Sequence, residues 1–143
     1  DRIIVGEVRK GEDGDRLLYA FQTGHLGWTT IHAESAEGVI VRLAEMIRMY
    51  KPNVSWEEIE NSIFRIIDVI VFIELITING IERRRVTEIV ELHRDKNTNK
   101  NELRHIFKYD TQENILKQVN TITDSLAEKM RKREINPDRW LKL

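Results

Sequence analysis

The sequence contains no cysteine. A disulfide framework, a thiolate metal site and a cysteine nucleophile are therefore excluded, and the absence fits a cytoplasmic protein. A strong charge of one sign is also lacking, since 23 lysine and arginine residues face 24 acidic residues and the formal net charge is -1. We therefore expect no overall attraction to nucleic acid or to an anionic membrane surface.

A long hydrophobic run is missing too. The most apolar stretch, IFRIIDVIVFIELITI from Ile63 to Ile78, is interrupted by charged residues, whereas a membrane span needs roughly 18 to 20 apolar residues. We interpret this stretch as the end of a helix followed by a buried strand. No signal peptide precedes it, and the sequence starts at Asp1 just before the apolar run Ile3–Val5. We therefore expect a fragment of a longer protein.

Hydrophobic periodicity predicts strands and helices in alternation, followed by an antiparallel meander. The 143 residues, 41% apolar and 33% charged, suit a single soluble domain. The predicted strands are Ile3–Val5, Trp28–Ile31, Val69–Ile78, Arg84–Leu92 and Leu103–Tyr109, and Asp95–Asn101 is a predicted exposed turn. The predicted helices are Asp15–Gln22, one capped by Ser35 and closed by Pro52, one opened by Ser55, and a helical remainder with Ile115, Val119, Ile122 and Leu126 on one face. This order indicates an α/β fold with an antiparallel meander and C-terminal helices.

The first candidate for chemistry is IIVGEVR, Ile3 to Arg9. A carboxylate at Glu7 would lie just beyond the carboxyl end of a strand, where open α/β sheets place their ligands. In nucleotide hydrolases such an acid orients the attacking water or the hydration shell of magnesium. Arg9 could bind a phosphate through its fork of donors. Taken alone, the pattern favours the simpler alternative, a strand that ends in a solvated Glu-x-Arg pair.

The second candidate is TGHLGWTTIHA, which places His25 and His32 beside glycines and threonines. Zinc ligation is disfavoured, because the two histidines lack a short helical spacing and a third ligand. No G-x-S-x-G turn for an activated serine is present. Phosphate sensing is better motivated, since glycines allow close approach of an anion, and hydroxyl and imidazole groups can donate to it. The alternative for either histidine is a hydrogen-bonded supporting residue.

Together the two stretches resemble the Walker B and histidine boxes of the secretion ATPase superfamily, the RecA-like motors of type II and type IV secretion and of pilus and archaellum assembly. Further along, RLAEMI, RRRVTEIVEL and IFKYD are similar to the Tad-type pilus-assembly branch. The resemblance covers nearly the whole chain. It implies the C-terminal half of a RecA-like P-loop NTPase domain over residues 1–143, starting at Walker B.

The resemblance also implies roles for individual residues. Glu7 corresponds to the Walker B glutamate that positions water or magnesium at the γ-phosphate, and His32 to the histidine that senses this phosphate. Both are therefore predicted catalytic residues. The residues predicted to contact or shape the nucleotide site are Arg9, Thr23, Gly24, His25, Thr30 and Arg42. For Arg42 a surface position on an amphipathic helix is an equally good interpretation.

One element of such a motor is missing from the sequence. No G-x-x-x-x-G-K-[ST] motif occurs, so the phosphate cradle, its lysine and the hydroxyl that binds magnesium are absent. In the family this P-loop precedes Walker B. We therefore expect ATP and Mg²⁺ as cofactors of the longer protein, no protein-only metal site, and no ATP hydrolysis by this fragment alone.

The resemblance implies a hexameric ring that works with an inner-membrane secretion or pilus platform, as a cytoplasmic protein at the inner face of the membrane. The alternative is a non-catalytic, ATPase-like module that docks on such a platform. Two basic clusters, Arg83–Arg85 and Arg131–Arg133, raise the question of nucleic acid. Neither has interleaved aromatic residues for stacking on bases, so solvated surfaces are favoured and no nucleic acid is expected.

Overall fold

The computed structural model describes residues 2–95 and 97–143. These residues form two compact units that divide after Ile67. The first unit contains β1 (Arg2–Val5), α1 (Gly11–Gln22), β2 (Leu26–Thr29), α2 (Ala36–Tyr50) and α3 (Trp56–Ile66). The second contains β3 (Val69–Ile78), β4 (Ile81–Arg94), β5 (Asn101–Asp110), β6 (Ile115–Gln118), α4 (Asp124–Arg131) and a 3₁₀ turn, Asp138–Trp140.

In the first unit, β1 and β2 pair in parallel, with Arg2 opposite Leu26 and Val5 opposite Thr29. The β2 strand lies two residues earlier than the predicted Trp28–Ile31. Gly27 allows the strands and α1 to approach closely, because a Cβ atom at this position would lie 1.9 Å from the carbonyl oxygen of Ile3. Real Cβ atoms do not approach that closely, so only glycine fits between the strand and the helix.

The helices of this unit begin at polar caps. The hydroxyl of Ser35 accepts from the amide of Gly38 at 2.9 Å. Ser55 and Glu58 form the predicted capping box, in which the amide of Glu58 donates to the Ser55 hydroxyl at 3.2 Å and the Ser55 amide donates to the carboxylate at 3.1 Å. The α1 helix begins at Gly11, one turn before its predicted start. Apolar side chains of the three helices fill the core, including the buried residues Leu17, Leu18, Val39, Ile40, Leu43, Ile47, Ile59, Ile63 and Phe64.

The second unit is built on an antiparallel sheet with strand order β3-β4-β5-β6. Its first hairpin turns at Asn79 and Gly80, whose φ angles of 51° and 77° are both positive, as a type I′ turn requires. The prediction of this hairpin from the Asn-Gly pair is confirmed. Lys96, within the predicted exposed turn, lies outside the described residues. A core of Ile106, Ile122 and Ala127 is packed by Phe107, Leu126, Met130, Trp140 and Leu141.

The prediction that the chain is helical from Ile115 onward is wrong. Residues Ile115–Gln118 form β6, which pairs with β5 so that Phe107 faces Gln118 and Asp110 faces Ile115. A turn with Asn114 in the left-handed region, at a φ of 56°, reverses the chain before this strand. The helix α4 starts only at Asp124. The apolar spacing that looked helical therefore spans a strand, a loop and the start of a helix.

A buried carboxylate joins β4 to the start of α4. Glu91 is 2% exposed, and one of its oxygens accepts from the amide of Thr123 at 2.9 Å. Its other oxygen accepts from the hydroxyl of Thr123. That hydroxyl also caps α4 by accepting from the amide of Leu126 at 3.3 Å. Within the described residues, no helix is long and apolar enough to cross a membrane.

Candidate functional site

The candidate site lies where β1 and β2 end. Because the two strands are parallel, their carboxyl ends meet at one edge, and the loops that follow them lie side by side. Glu7 is in the loop after β1, and His32 is in the loop after β2. The amide of Val8 donates to the carbonyl of Thr30 at 2.9 Å, so the two loops stay paired beyond the ends of the strands.

Glu7 is held between an arginine and a histidine side chain. One of its carboxylate oxygens accepts from Nε of Arg9 at 2.7 Å and lies 2.6 Å from the same guanidinium's Nη2. The other oxygen lies 3.2 Å from Nε2 of His32. The Glu7 side chain is 22% exposed, whereas those of Arg9 and His32 are 75% and 85% exposed. A partly buried carboxylate is thus flanked by two donors that are open to solvent.

The electrostatics of this cluster keep Glu7 ionised. The hydrogen bond from Arg9 lowers the pKa of Glu7, and although partial desolvation raises it, the charges of Arg9, His32 and Arg42 lower it further. The same hydrogen bond and the charge of Glu7 raise the pKa of Arg9. Arg42 is an exposed residue on α2, and its nucleotide role stays a prediction. At neutral pH Glu7 is a pure hydrogen-bond acceptor.

Thr30 links the loops a second time. Its hydroxyl donates to the carbonyl of Gly6 at 2.6 Å. Gly6 and Val8, the two neighbours of Glu7, are thus both bonded to Thr30. No local pattern in the sequence reveals this link, because it depends on the register of two strands far apart in the chain.

Three predicted site residues lie at the other end of β2. Thr23, Gly24 and His25 follow α1 and precede the strand. The Thr23 hydroxyl donates to the carbonyl of Ala20 at 2.8 Å, and Nδ1 of His25 lies 3.1 Å from that hydroxyl. Gly24 has a φ of 93°. These residues end α1, and the structure does not bring them together with Glu7 and His32; their nucleotide role stays a prediction.

The residues present at the site suit a phosphate group. Arg9 offers a planar guanidinium and His32 an imidazole, both exposed and both next to the ionised Glu7. A magnesium ion usually takes one or two protein carboxylates and keeps its other positions for water and phosphate. Among the described residues no three acidic or histidine side chains are grouped to hold a metal. Glu7 alone fits a magnesium ion that is carried mainly by a nucleotide.

The ion pair between Glu7 and Arg9 is also the arrangement that the simpler Glu-x-Arg alternative predicts. That alternative does not account for His32, which approaches the same carboxylate from a separate strand. Of the predicted residues, Glu7, Arg9, Thr30 and His32 therefore lie together.

The model of the type II/IV secretion system protein family matches residues 1–134. The chain belongs to this family. This type II/IV secretion system protein is 38% identical over 98 residues to the probable conjugal transfer protein TrbB of Sinorhizobium fredii. The match covers 68% of this chain and 27% of that protein. It is 46% identical over 46 residues to the type II secretion system protein E of Klebsiella pneumoniae, covering 32% of this chain and 9% of the relative.

A solved structure gives the same assignment. The VirB11 ATPase of the Brucella suis type IV secretion system, in complex with sulphate, superimposes on this type II/IV secretion system protein with a TM-score of 0.56 and 28% identity. The match covers 63% of this chain and 27% of that structure. The resemblance to the secretion ATPase superfamily and the prediction of an α/β, RecA-like fold are thereby confirmed. The chain spans less than a third of the length of each of these relatives.

Proposed function

We propose that this chain is part of an ATP-hydrolysing motor that powers type II or type IV secretion or pilus assembly. The observation that carries the proposal is the cluster at the carboxyl ends of β1 and β2. There the Glu7 carboxylate lies 2.6 Å from the Arg9 guanidinium and 3.2 Å from the His32 imidazole. Family membership and the likeness to an ATPase structure support it.

Each residue of the cluster has a task that its chemistry suits. ATP, with Mg²⁺, supplies the phosphoryl group that is transferred to water. Glu7, as an ionised acceptor, orients this water or a water of the metal. Arg9 and His32 present donors where negative charge develops, and the positive charge of Arg42 supports them. Since Arg9 and His32 both contact Glu7, an arriving anion would compete with the carboxylate for their donors.

The branch of the family, the cellular location, the oligomeric state and the partner belong to the same proposal. The stretches RRRVTEIVEL and IFKYD favour the Tad-type pilus-assembly branch. We place the longer protein at the cytoplasmic face of the inner membrane, as a homo-hexameric ring that acts on a secretion or pilus platform protein. The γ-phosphate site is then completed by a P-loop encoded upstream of Asp1, and the first test is to read the gene for a G-x-x-x-x-G-K-[ST] motif there.

The decisive experiment measures phosphate release by the full-length protein. Glu7→Gln keeps the shape of the side chain but removes its charge, and we expect kcat to fall by about 10² to 10⁴ while nucleotide binding is retained. The matched control is Glu45→Gln, an exposed position on α2, which should leave turnover unchanged. Equal turnover in the Glu7 variant would contradict the proposed role. An inactive wild-type protein that still binds its platform would favour the non-catalytic docking module.

A further inference from the structure

The backbone on both sides of Glu7 is held by a single residue. The carbonyl of Gly6 accepts from the Thr30 hydroxyl at 2.6 Å, and the amide of Val8 donates to the Thr30 carbonyl at 2.9 Å. Neither bond belongs to the regular β ladder, which ends at Val5 and Thr29. Thr30 therefore holds the backbone on both sides of Glu7 beyond the end of the ladder.

The two bonds differ in what they restrain. Val8 is 3% exposed, so its packed side chain already anchors the backbone on that side. Gly6 has no such anchor, because a Cβ atom built on it would meet nothing within 4 Å. A glycine in open space has wide conformational freedom. The hydroxyl bond from Thr30 thus restrains the backbone at Gly6, the neighbour of Glu7 that has no side chain to pack.

This bond also decides what else the hydroxyl can do. A threonine hydroxyl has one hydrogen to donate, and here it is donated to Gly6. Phosphate oxygens at neutral pH accept hydrogen bonds and offer few of their own. While Thr30 holds Gly6, its hydroxyl cannot also donate to a phosphate. Its chemistry is that of a support and not of a nucleotide ligand.

We propose that Thr30 is a positioning residue for Glu7, which sets the carboxylate for the attacking water without touching the nucleotide itself. The inference rests on the proposed function, because it assigns Thr30 to the same reaction. It differs from the expectation that Thr30 contacts the cofactor. Thr30 also precedes His32 by two residues, so the residue that holds the backbone beside Glu7 is close in the chain to the second predicted catalytic side chain.

The test compares three variants of the full-length protein. Thr30→Val removes the hydroxyl and keeps the shape of the side chain. We expect kcat to fall about tenfold and the KM for ATP to stay nearly unchanged. The expected fall in kcat is smaller than the ~100-fold loss that a 1 Å misplacement of a catalytic group can cause. Thr30→Ser keeps the hydroxyl and should retain most of the activity. Thr77→Val, at an exposed position on β3, is the matched control. A rise in KM with unchanged kcat would make Thr30 a ligand and overturn the proposal.

A second measurement decides the matter without turnover. Amide hydrogen exchange across residues 6–9 of the full-length protein should become faster in Thr30→Val and stay at the wild-type rate in Thr30→Ser and Thr77→Val. If the wild-type protein hydrolyses no ATP, the proposed function fails, yet this exchange still shows whether Thr30 holds Gly6. Unchanged exchange would refute the restraint. A lower melting temperature with unaltered kcat would reduce Thr30 to a purely structural residue and would also refute the proposal.

Discussion

The two hydrogen bonds between Glu91 and Thr123 should be costly to disturb, because they are the bonds of a buried carboxylate. Glu91 is 2% exposed and its two oxygens accept from the amide and the hydroxyl of Thr123. Glu91→Gln keeps one acceptor oxygen and replaces the other with an NH2 group. One of the two bonds is therefore lost, and a donor of Thr123 then faces the NH2 group, which is itself a donor. A hydrogen bond to a charged group contributes about 1.5–3 kcal/mol, and we expect a loss of this size in the free energy of unfolding.

The partner variant should cost more. Thr123→Val removes the hydroxyl that donates to Glu91 and also the cap that accepts from Leu126. The lost cap of α4 should cost about 1 kcal/mol, in addition to about 1.5–3 kcal/mol for the lost bond to Glu91. The expected loss in the free energy of unfolding is therefore about 2.5–4 kcal/mol. In the double variant the glutamine oxygen can turn to the remaining Thr123 amide. The loss in the double variant should therefore be smaller than the sum of the two single losses by about 1 kcal/mol or more.

The assay is urea unfolding followed through the amide exchange of β4 and α4, which reports on this unit apart from residues 2–67. Glu102→Gln is the matched control, because Glu102 is 54% exposed and lies 3.5 Å from Arg104, a surface pair of little consequence. A loss below about 0.5 kcal/mol for Glu91→Gln, the range of ordinary surface substitutions, would refute the reasoning. So would strict additivity of the two single losses.

Three further predictions concern residues 2–67 and the chain as a whole. Gly27→Ala should lower the stability of the first unit by about 3 kcal/mol in urea unfolding, since its Cβ would press on the Ile3 carbonyl, whereas Gly6→Ala, which meets nothing, should be tolerated. The ion pair between Glu7 and Arg9 should stabilise the fold at pH values above the ordinary glutamate pKa. This stabilisation should be lost as the pH falls through the lowered pKa of Glu7 in the folded protein. Carbon NMR titration of Glu7 should show its pKa rise in Arg9→Ala; an unmoved pKa would contradict the assigned cause. The 143-residue chain alone should release no phosphate from ATP, and turnover abolished by Glu7→Gln would disprove that.

Signals that act within a few residues were predictable from the sequence. The capping box at Ser55 and Glu58 and the turn at Asn79 and Gly80 each depend on neighbours in the chain. Their chemistry determines the local backbone whatever packs around them. Accordingly, α3 begins directly after Ser55 and β3 has its predicted bounds, whereas β4, at Ile81–Arg94, extends beyond the predicted Arg84–Leu92 at both ends.

Elements fixed by distant partners were not predictable in this way. The strand β6 has four residues, too few for a period of two to be recognised. What makes it a strand is its pairing with Phe107–Asp110. Glu91 gave no signal either, because a carboxylate in an apparently ordinary strand looks solvated until Thr123 covers it. In both cases tertiary contact overrides the local pattern.

The same distinction divides the predicted site. Placing Glu7 at the carboxyl end of β1 needed only the apolar run before it, and parallel pairing then put His32 at the same edge. That pairing also sends His25 to the opposite end of β2. Four residues of extended strand separate the two loops by about 13 Å. The two histidines therefore lie at opposite ends of β2, so the strand pairing that places His32 beside Glu7 does not do so for His25, whose nucleotide role stays a prediction.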